Sequence, residues 1–293
     1  MKKYTAAVIA VLICALFCSC AKNEYSFNNK IDGDNNIAVV SFNCAAPWGN
    51  VLKKTGSASR EKRFASYMNT IHPDSIGTQE MNSSWMKSLE RDMPDYDSYG
   101  VSRGGDDSEK KSEMNTIFWL RDKYNCIDKG TFWLSETPET QSRYTGAGCN
   151  RVCTFVVLES RETGVKYLHA NTHLDNASDE ARVFGARVVM QKIDELLDTY
   201  GDIAVVLTGD FNDTIDSPPY LEITRDLSDT ISLTGTKEIH STYTDWGELA
   251  DEALPIDFIF TNRDAVDYQV LNDTSNGFVS DHFGVYSVIS VGQ

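Results

Sequence analysis

Seven short apolar runs punctuate this chain, and they constrain its fold more than any other feature. They are "IAVVSFN" (37–43), "NTIFWL" (115–120), "VCTFVVLES" (152–160), "VKYLHANTHL" (165–174), "IAVVLTG" (203–209), "IDFIFT" (256–261) and "FGVYSVIS" (283–290). Several are apolar at nearly every position, the pattern of strands covered on both faces. Between Asp179 and Tyr200 the period changes. Val183, Ala186, Met190, Ile193 and Leu197 recur at three- and four-residue steps, and Gly201 can end the helix they describe. Strands mixed with helices, and hairpin-like pairs late in the chain, predict an α/β (α+β) fold of layered mixed sheets. At 293 residues, with no internal repeat or second linker, the chain reads as one domain behind an N-terminal extension.

That extension opens with Lys2 and Lys3 and continues as an apolar run from Ala6 to Phe17, too short to span a bilayer as a helix. Residues 1–19 read as an export signal. The end of this segment, "LFCSC", resembles a bacterial lipoprotein signal with Cys20 as the lipid acceptor. Residues 20–35 are polar without an apolar period, as a tether between membrane and domain would be, and 36–293 form the domain itself. Export would leave Cys44, Cys126, Cys149 and Cys153 in a compartment that permits disulfides. These four allow three pairings, and no pair has zinc-site spacing with a second pair or histidines to complete it.

Chemistry-bearing side chains gather where the runs end. Asn43 closes the first, Gln79 and Glu80 follow the short run at Ile76, and Asn171 and His173 close "NTH". Asp210 and Asn212 follow in "GDFND", then Asp257 in "IDFIF", then Asp281 and His282 in "SDH". Ligands of α/β sheets bind at the carboxyl ends of strands, so these segments can converge on one crevice. Asp257 is informative by itself. Alternation sets it on one strand face with Ile259, opposite Ile256, Phe258 and Phe260, and a carboxylate in so apolar a strand requires a partner.

The ordered set "SFN", "QE", "NTHL", "GDFN" and "SDH" resembles the endonuclease/exonuclease/phosphatase superfamily, the deoxyribonuclease I-like fold, across Asn43 to His282. "TFWLSETP" and "GDFNDTIDSPPY" further resemble an exported bacterial branch of it. The resemblance implies a four-layer sandwich of two mixed β-sheets packed face to face with helices on both outer sides. It also implies metal-dependent hydrolysis of phosphate esters or phosphodiesters.

By the same resemblance Glu80, Asn43 and Asp281 cradle magnesium, with manganese as the alternative ion. His282 takes the proton of the attacking water and is oriented by Asp257. His173 assists at the phosphate and leaving group and is oriented by Glu113. Asp210 and Asn212 hold and polarise water and phosphate oxygens, and Asn171 and Arg151 contact substrate. The residue types suit the reaction, because a hard divalent cation prefers oxygen ligands and histidine moves protons near neutral pH. Two positions depart from the pattern. Asn176 stands where the branch often has a second histidine, and Phe283 and Gly284 follow "SDH" where many members carry tyrosine or histidine and then proline.

Charge narrows the substrate. The chain has 27 basic and 43 acidic residues, a net −16, and loss of Lys2 and Lys3 with residues 1–19 makes it −18. Such a surface repels polyanions, whose binding needs Lys and Arg contacts. The sequence therefore favours a small-molecule or lipid phosphate ester over nucleic acid, and describes a monomer bound to the membrane through its N-terminal lipid. Three other readings stay open: a secreted nuclease, a sphingomyelinase-like lipid phosphodiesterase with Trp48 and Trp246 near the cleft, and a binding lipoprotein without turnover.

Overall fold

A computed structural model describes residues 35–46, 60–104, 113–237, 239–249 and 254–292. The export signal, Cys20, Trp48 and all of the tether except Asn35 lie outside the described residues. The first sheet contains β1 (Asn36–Asn43), β2 (Ser75–Met81), β3 (Tyr96–Tyr99), β4 (Met114–Leu120), β11 (Ala265–Leu271) and β12 (Gly284–Ser290), in the spatial order β11-β12-β1-β2-β4-β3. The second contains β5 (Tyr124–Trp133), β6 (Val152–Ser160), β7 (Lys166–His173), β8 (Ala204–Asp210), β9 (Ser228–Asp229) and β10 (Asp257–Thr261), in the order β5-β6-β7-β8-β10-β9. Both are mixed. β1 pairs in parallel with β2, β7 pairs in parallel with β8, and the remaining pairs are antiparallel.

Helices cover the outer faces. α1 (Arg60–Ile71) and α2 (Ser83–Asp92) lie on the first sheet, where Phe64 meets Phe42 of β1 and Trp85 of α2 edge to face. α3 (Asp179–Tyr200) lies on the second, with Gly185 close against Leu134 and Leu174. Its limits are those the periodicity predicts. Ser178 Oγ accepts from the Ala181 amide at 3.1 Å, and Gly201 ends the helix at φ 77°. Of the expected stripe, Ala186, Met190 and Ile193 are buried, whereas Val183 and Leu197 are half-buried because Gly185, Val189 and Leu196 lie deeper.

The layer between the sheets is not wholly apolar. His169 bridges Ser75 Oγ and Thr208 Oγ1, each at 2.9 Å, and burial holds its pKa down at about 3, so the ring is neutral. Asn171 Oδ1 accepts from Gln79 Nε2 at 2.7 Å and Thr208 Oγ1 at 3.1 Å, while its Nδ2 donates to Thr78 O at 2.8 Å. Gly77 leaves room for this crossing. A Cβ there would stand 2.0 Å from Thr208 Oγ1 and 2.8 Å from Asn171 Oδ1. Cys44, Cys126, Cys149 and Cys153 are all free thiols, so none of the three pairings forms.

Candidate active site

Strands of both sheets deliver side chains to one edge of the sandwich. Asn43 ends β1, and its Nδ2 donates to Asp210 Oδ2 at 2.9 Å and to Glu80 Oε1 at 3.3 Å, linking the two sheets. Glu80 sits where the β2–β4 register shifts between Thr78 and Met81, with φ at 59°. That irregularity takes it out of strand alternation, and Glu80 Oε2 accepts from the Ala46 amide at 2.6 Å.

Asp210 ends β8 directly opposite Asp257 in the antiparallel pairing of β8 with β10. Asp257 is fully buried and accepts from His282 at 2.8 Å, between Asp257 Oδ2 and His282 Nδ1. The partner that the sequence requires for this acid is therefore His282, supplied by the other sheet. Asp210 Oδ2 lies 3.5 Å from Nε2 of His173 and 3.9 Å from Nε2 of His282, so one carboxylate faces two imidazoles. Tyr243 covers His282, the ring centroids 5.0 Å apart.

The two imidazoles differ in charge. Burial opposes the charged form of both, and in His173 the nearby Arg151 and Arg103 guanidiniums push in the same direction, holding its pKa well below the usual imidazole range. At His282 burial is outweighed by Asp257, with Asp210 adding to it, so this pKa lies well above the usual range. Burial and the Asp257 charge raise Asp210 well above ordinary carboxylates. His173 is thus neutral and His282 cationic at neutral pH.

His173, Asp210 and His282 line a cleft of about 340 Å³ together with Glu80, Arg103, Glu113, Cys149, Arg151, Asn176, Asn212, Tyr243 and Asp281. Asn212, at φ 50°, donates its backbone amide to Asp210 Oδ1 at 2.9 Å and its Nδ2 to Leu174 O at 3.0 Å. Arg151 is pinned by Asp175 at 3.4 Å and by Asn176 Oδ1 at 2.9 Å, and its Nη1 is buried without a hydrogen-bond partner among the described residues. A larger cleft of about 630 Å³ at the opposite end of the sheets is lined in part by side chains that already meet, Lys123 with Asp74 at 2.6 Å and His72 with Asp95 at 3.8 Å.

Two expectations are corrected. Asn171 does not reach the cleft, because it lies two residues inside the strand end on the inter-sheet face, where its amide is used between the layers. Glu113 does not orient His173. Its carboxylate grips Arg103 Nη1 at 2.6 Å, and among the described residues His173 Nδ1 makes no hydrogen bond. Arg103 itself carries no motif and is found only by the fold. Its carbonyl accepts from Trp133 Nε1 and Asn150 Nδ2, each at 3.0 Å, which fixes the main chain that presents it to the cleft.

The sequence profile described as Endonuclease/Exonuclease/phosphatase family matches residues 40–282. This chain belongs to that family. Its members hydrolyse phosphoesters, and the chain is a hydrolase of that kind. A solved endonuclease/exonuclease/phosphatase family protein of Bacteroides thetaiotaomicron is 28% identical with a TM-score of 0.79, covering 88% of this chain and 98% of its own. A mannosyl-6-phosphatase of the same species is 28% identical with a TM-score of 0.78, covering 86% and 98%. Zebrafish TDP2, solved with a single-strand DNA product, shares the fold at 16% identity and a TM-score of 0.68, covering 88% and 100%. The yeast RNA exonuclease NGL1 is 33% identical over 78 residues, 24% of this chain and 22% of that protein.

The family implies a divalent cation, and the cleft suits one. Asp281 has its pKa raised by burial, and the Glu80 charge contributes in the same direction, so two carboxylates share a site that favours a cation between them. Glu80, Glu113 and His173 also present ligand atoms within 4.8 Å of one another.

Proposed function

We propose that this protein is an exported phosphatase that releases phosphate from small hydroxylated phosphate monoesters with a divalent cation bound. The observation that carries the reading is Asp210 placed between a neutral and a cationic imidazole, beside the carboxylates of Glu80 and Asp281. Glu80, Asp281 and Asn43 would hold magnesium or manganese, which supplies charge neutralisation at the phosphate oxygens.

The chain's own groups divide the rest of the work. Asp210 takes the proton of the attacking water, because His282 is already protonated through its contact with Asp257. This revises the assignment of His282 as base. The His282 imidazolium stabilises charge that develops on the phosphate, and the unpaired Nη1 of Arg151 with Arg103 binds its remaining oxygens. Asn212 fixes Asp210 through the backbone amide bond. Neutral His173 faces the leaving oxygen.

The net acidity and the likeness to a mannosyl-6-phosphatase favour a sugar phosphate over a nucleic acid strand. Phosphate release from sugar phosphates, bis-aryl phosphate, single-stranded DNA and phospholipid, assayed with magnesium and with a chelator, decides the matter. Faster cleavage of DNA or of the diester than of every monoester sinks this reading.

For location we propose export by residues 1–19, lipid attachment at Cys20, a tether over 20–35 and catalysis by 36–293. The support is the "LFCSCAK" stretch and the polar segment after it. Mass spectrometry of the native N-terminus tests this, and an unlipidated start beyond Cys20 rules it out.

A further inference from the structure

Arg60 opens α1 and is 1% exposed, an unusual place for a permanent charge. Burial of a guanidinium is costly unless its donors are used. Arg60 Nη1 donates to Cys44 O at 2.8 Å and Val279 O at 3.0 Å, and Nη2 donates to Ala45 O at 2.7 Å. The cation also lies 5.2 Å from the ring centroid of Trp85 on α2 and 5.4 Å from that of Trp246 in the loop before β10.

The three carbonyls belong to two segments far apart in sequence, and each segment carries one half of the site. The stretch after β1 holds the first half, since the Ala46 amide binds Glu80 and the Ala45 amide binds Asn43 Oδ1 at 2.9 Å. The stretch before β12 runs from Val279 into Asp281 and His282. One turn further along α1, Arg63 adds a second hold on that stretch, its Nε and Nη2 donating to Phe278 O at 3.1 and 2.7 Å.

Both Ala45 (φ 51°) and Trp246 (φ 62°) have left-handed backbones that L residues rarely adopt. Such conformations persist only where the surroundings impose them, and Arg60 touches both residues. Only an arginine offers a planar fork able to bond carbonyls from two segments while its cation lies close to two aromatic rings.

We propose that Arg60 is a positioning residue that braces the Glu80 side of the cation cradle against the Asp281 side and thereby sets divalent-cation affinity. The inference rests on the cradle assigned above, and it adds a residue that touches neither cation nor substrate.

The test uses magnesium calorimetry and amide hydrogen exchange on the intact protein. Arg60→Lys keeps the charge and loses the fork. It is expected to weaken magnesium binding about 10- to 100-fold, the usual scale for residues that orient ligands. Exchange at the Ala45, Ala46 and His282 amides should rise together, with β6 and β7 amides unchanged. Met68→Ala, buried on the same helix, should lower the melting temperature yet leave magnesium affinity of the folded protein as in wild type.

Arg63→Ala removes a half-buried side chain and its hold on Phe278 O. It should loosen His282 without Ala45 and weaken magnesium binding less than the Arg60 variant. Wild-type magnesium affinity in Arg60→Lys overturns the proposal, as does equal loss in Met68→Ala. If Arg60→Lys does not fold, wild-type exchange at His282 in Arg63→Ala overturns it. These readouts need no substrate, so an inactive wild-type protein would sink the hydrolytic reading while leaving the brace standing.

Discussion

Asp257 and His282 meet at 2.8 Å across the two sheets, the acid fully buried at the start of β10 and the imidazole 7% exposed just before β12. In the proposed mechanism the pair works as a single functional unit, with the acid fixing ring orientation and charge. His282→Ala should lower turnover by roughly 10²–10⁴-fold, the range for a group that handles a proton or charge at the transition state. Asp257→Asn should also lower it, and the double variant should be little worse than His282→Ala, because groups acting as one unit are non-additive. Turnover of the four proteins at saturating magnesium checks this, and simple multiplication of the two effects refutes the unit.

The proton inventory gives a pH profile. In the proposed mechanism Asp210 must be ionised to accept the water's proton, and burial with the Asp257 charge raises its pKa. Activity should therefore rise with pH well above the usual carboxylate range. It should fall again in alkali as His282 loses its proton, above the usual imidazole range. Asp257→Asn removes the main charge that sustains the imidazolium, so the alkaline limb should move to lower pH. Profiles of kcat/KM for the two proteins test this, and an alkaline limb indifferent to Asp257 contradicts it.

Glu80→Gln keeps the shape of the side chain and removes one charge from the Glu80 and Asp281 pair. Magnesium affinity should fall at least tenfold, in line with loss of a direct anionic ligand. Unchanged affinity by calorimetry would move the cation elsewhere.

Arg151 Nη1 is a buried donor with no partner among the described residues. A phosphate oxygen supplied by the substrate would satisfy it, and a charged hydrogen bond contributes about 1.5–3 kcal/mol. Arg151→Lys should thus lower kcat/KM for a phosphate monoester by about 10- to 100-fold with the fold intact. Equal kinetics in the variant would exclude the contact.

Asp229 provides a test away from the cleft. It is 2% exposed, accepts the Ile231 amide at 2.9 Å and the Tyr220 hydroxyl at 3.1 Å, and burial pushes its pKa up to about 6. An unfolded aspartate ionises near 3.9, so the contribution of Asp229 to stability should decline as pH rises from about 4 to about 6, by at most about 3 kcal/mol. Asp229→Asn keeps an amide acceptor without the charge. It should be the more stable protein at pH 7.5, with the difference vanishing below about pH 4, where both states are protonated. Urea unfolding at the two pH values measures it, and an Asn variant less stable at pH 7.5 refutes it.

The central strands were legible because they are buried on both faces. β1, β4, β6, β7, β8, β10 and β12 follow the apolar runs within one or two residues, and β2 surrounds the short run at Ile76. The strands without such runs are β3, β5, β9 and β11, the four that form the sheet edges. An edge strand with an exposed face, such as β11 with Val266 at 43% exposure, leaves no continuous apolar signal. Motif order brought most of the cleft together. It misplaced Asn171 because periodicity gives the face of a strand but not the depth at which a polar side chain stops. Arg60 and Arg103 were invisible for another reason: their partners are main-chain carbonyls and a distant acid, which no local pattern encodes.

The hydrogen bonds among Ser75, Gln79, His169, Asn171 and Thr208 work as a mechanical key between the sheets. Two greasy faces can settle at several offsets with little penalty, but a slip of one residue here, about 3.3 Å, would orphan several of these groups at once. Each orphan costs about 1–3 kcal/mol. The slot at Gly77 admits the key at one height, since any side chain there collides with Thr208. Asn43, Glu80 and His282 arrive from one sheet and His173, Asp210 and Asp257 from the other, so the alignment of the reacting edge is inherited from a lock several residues beneath it.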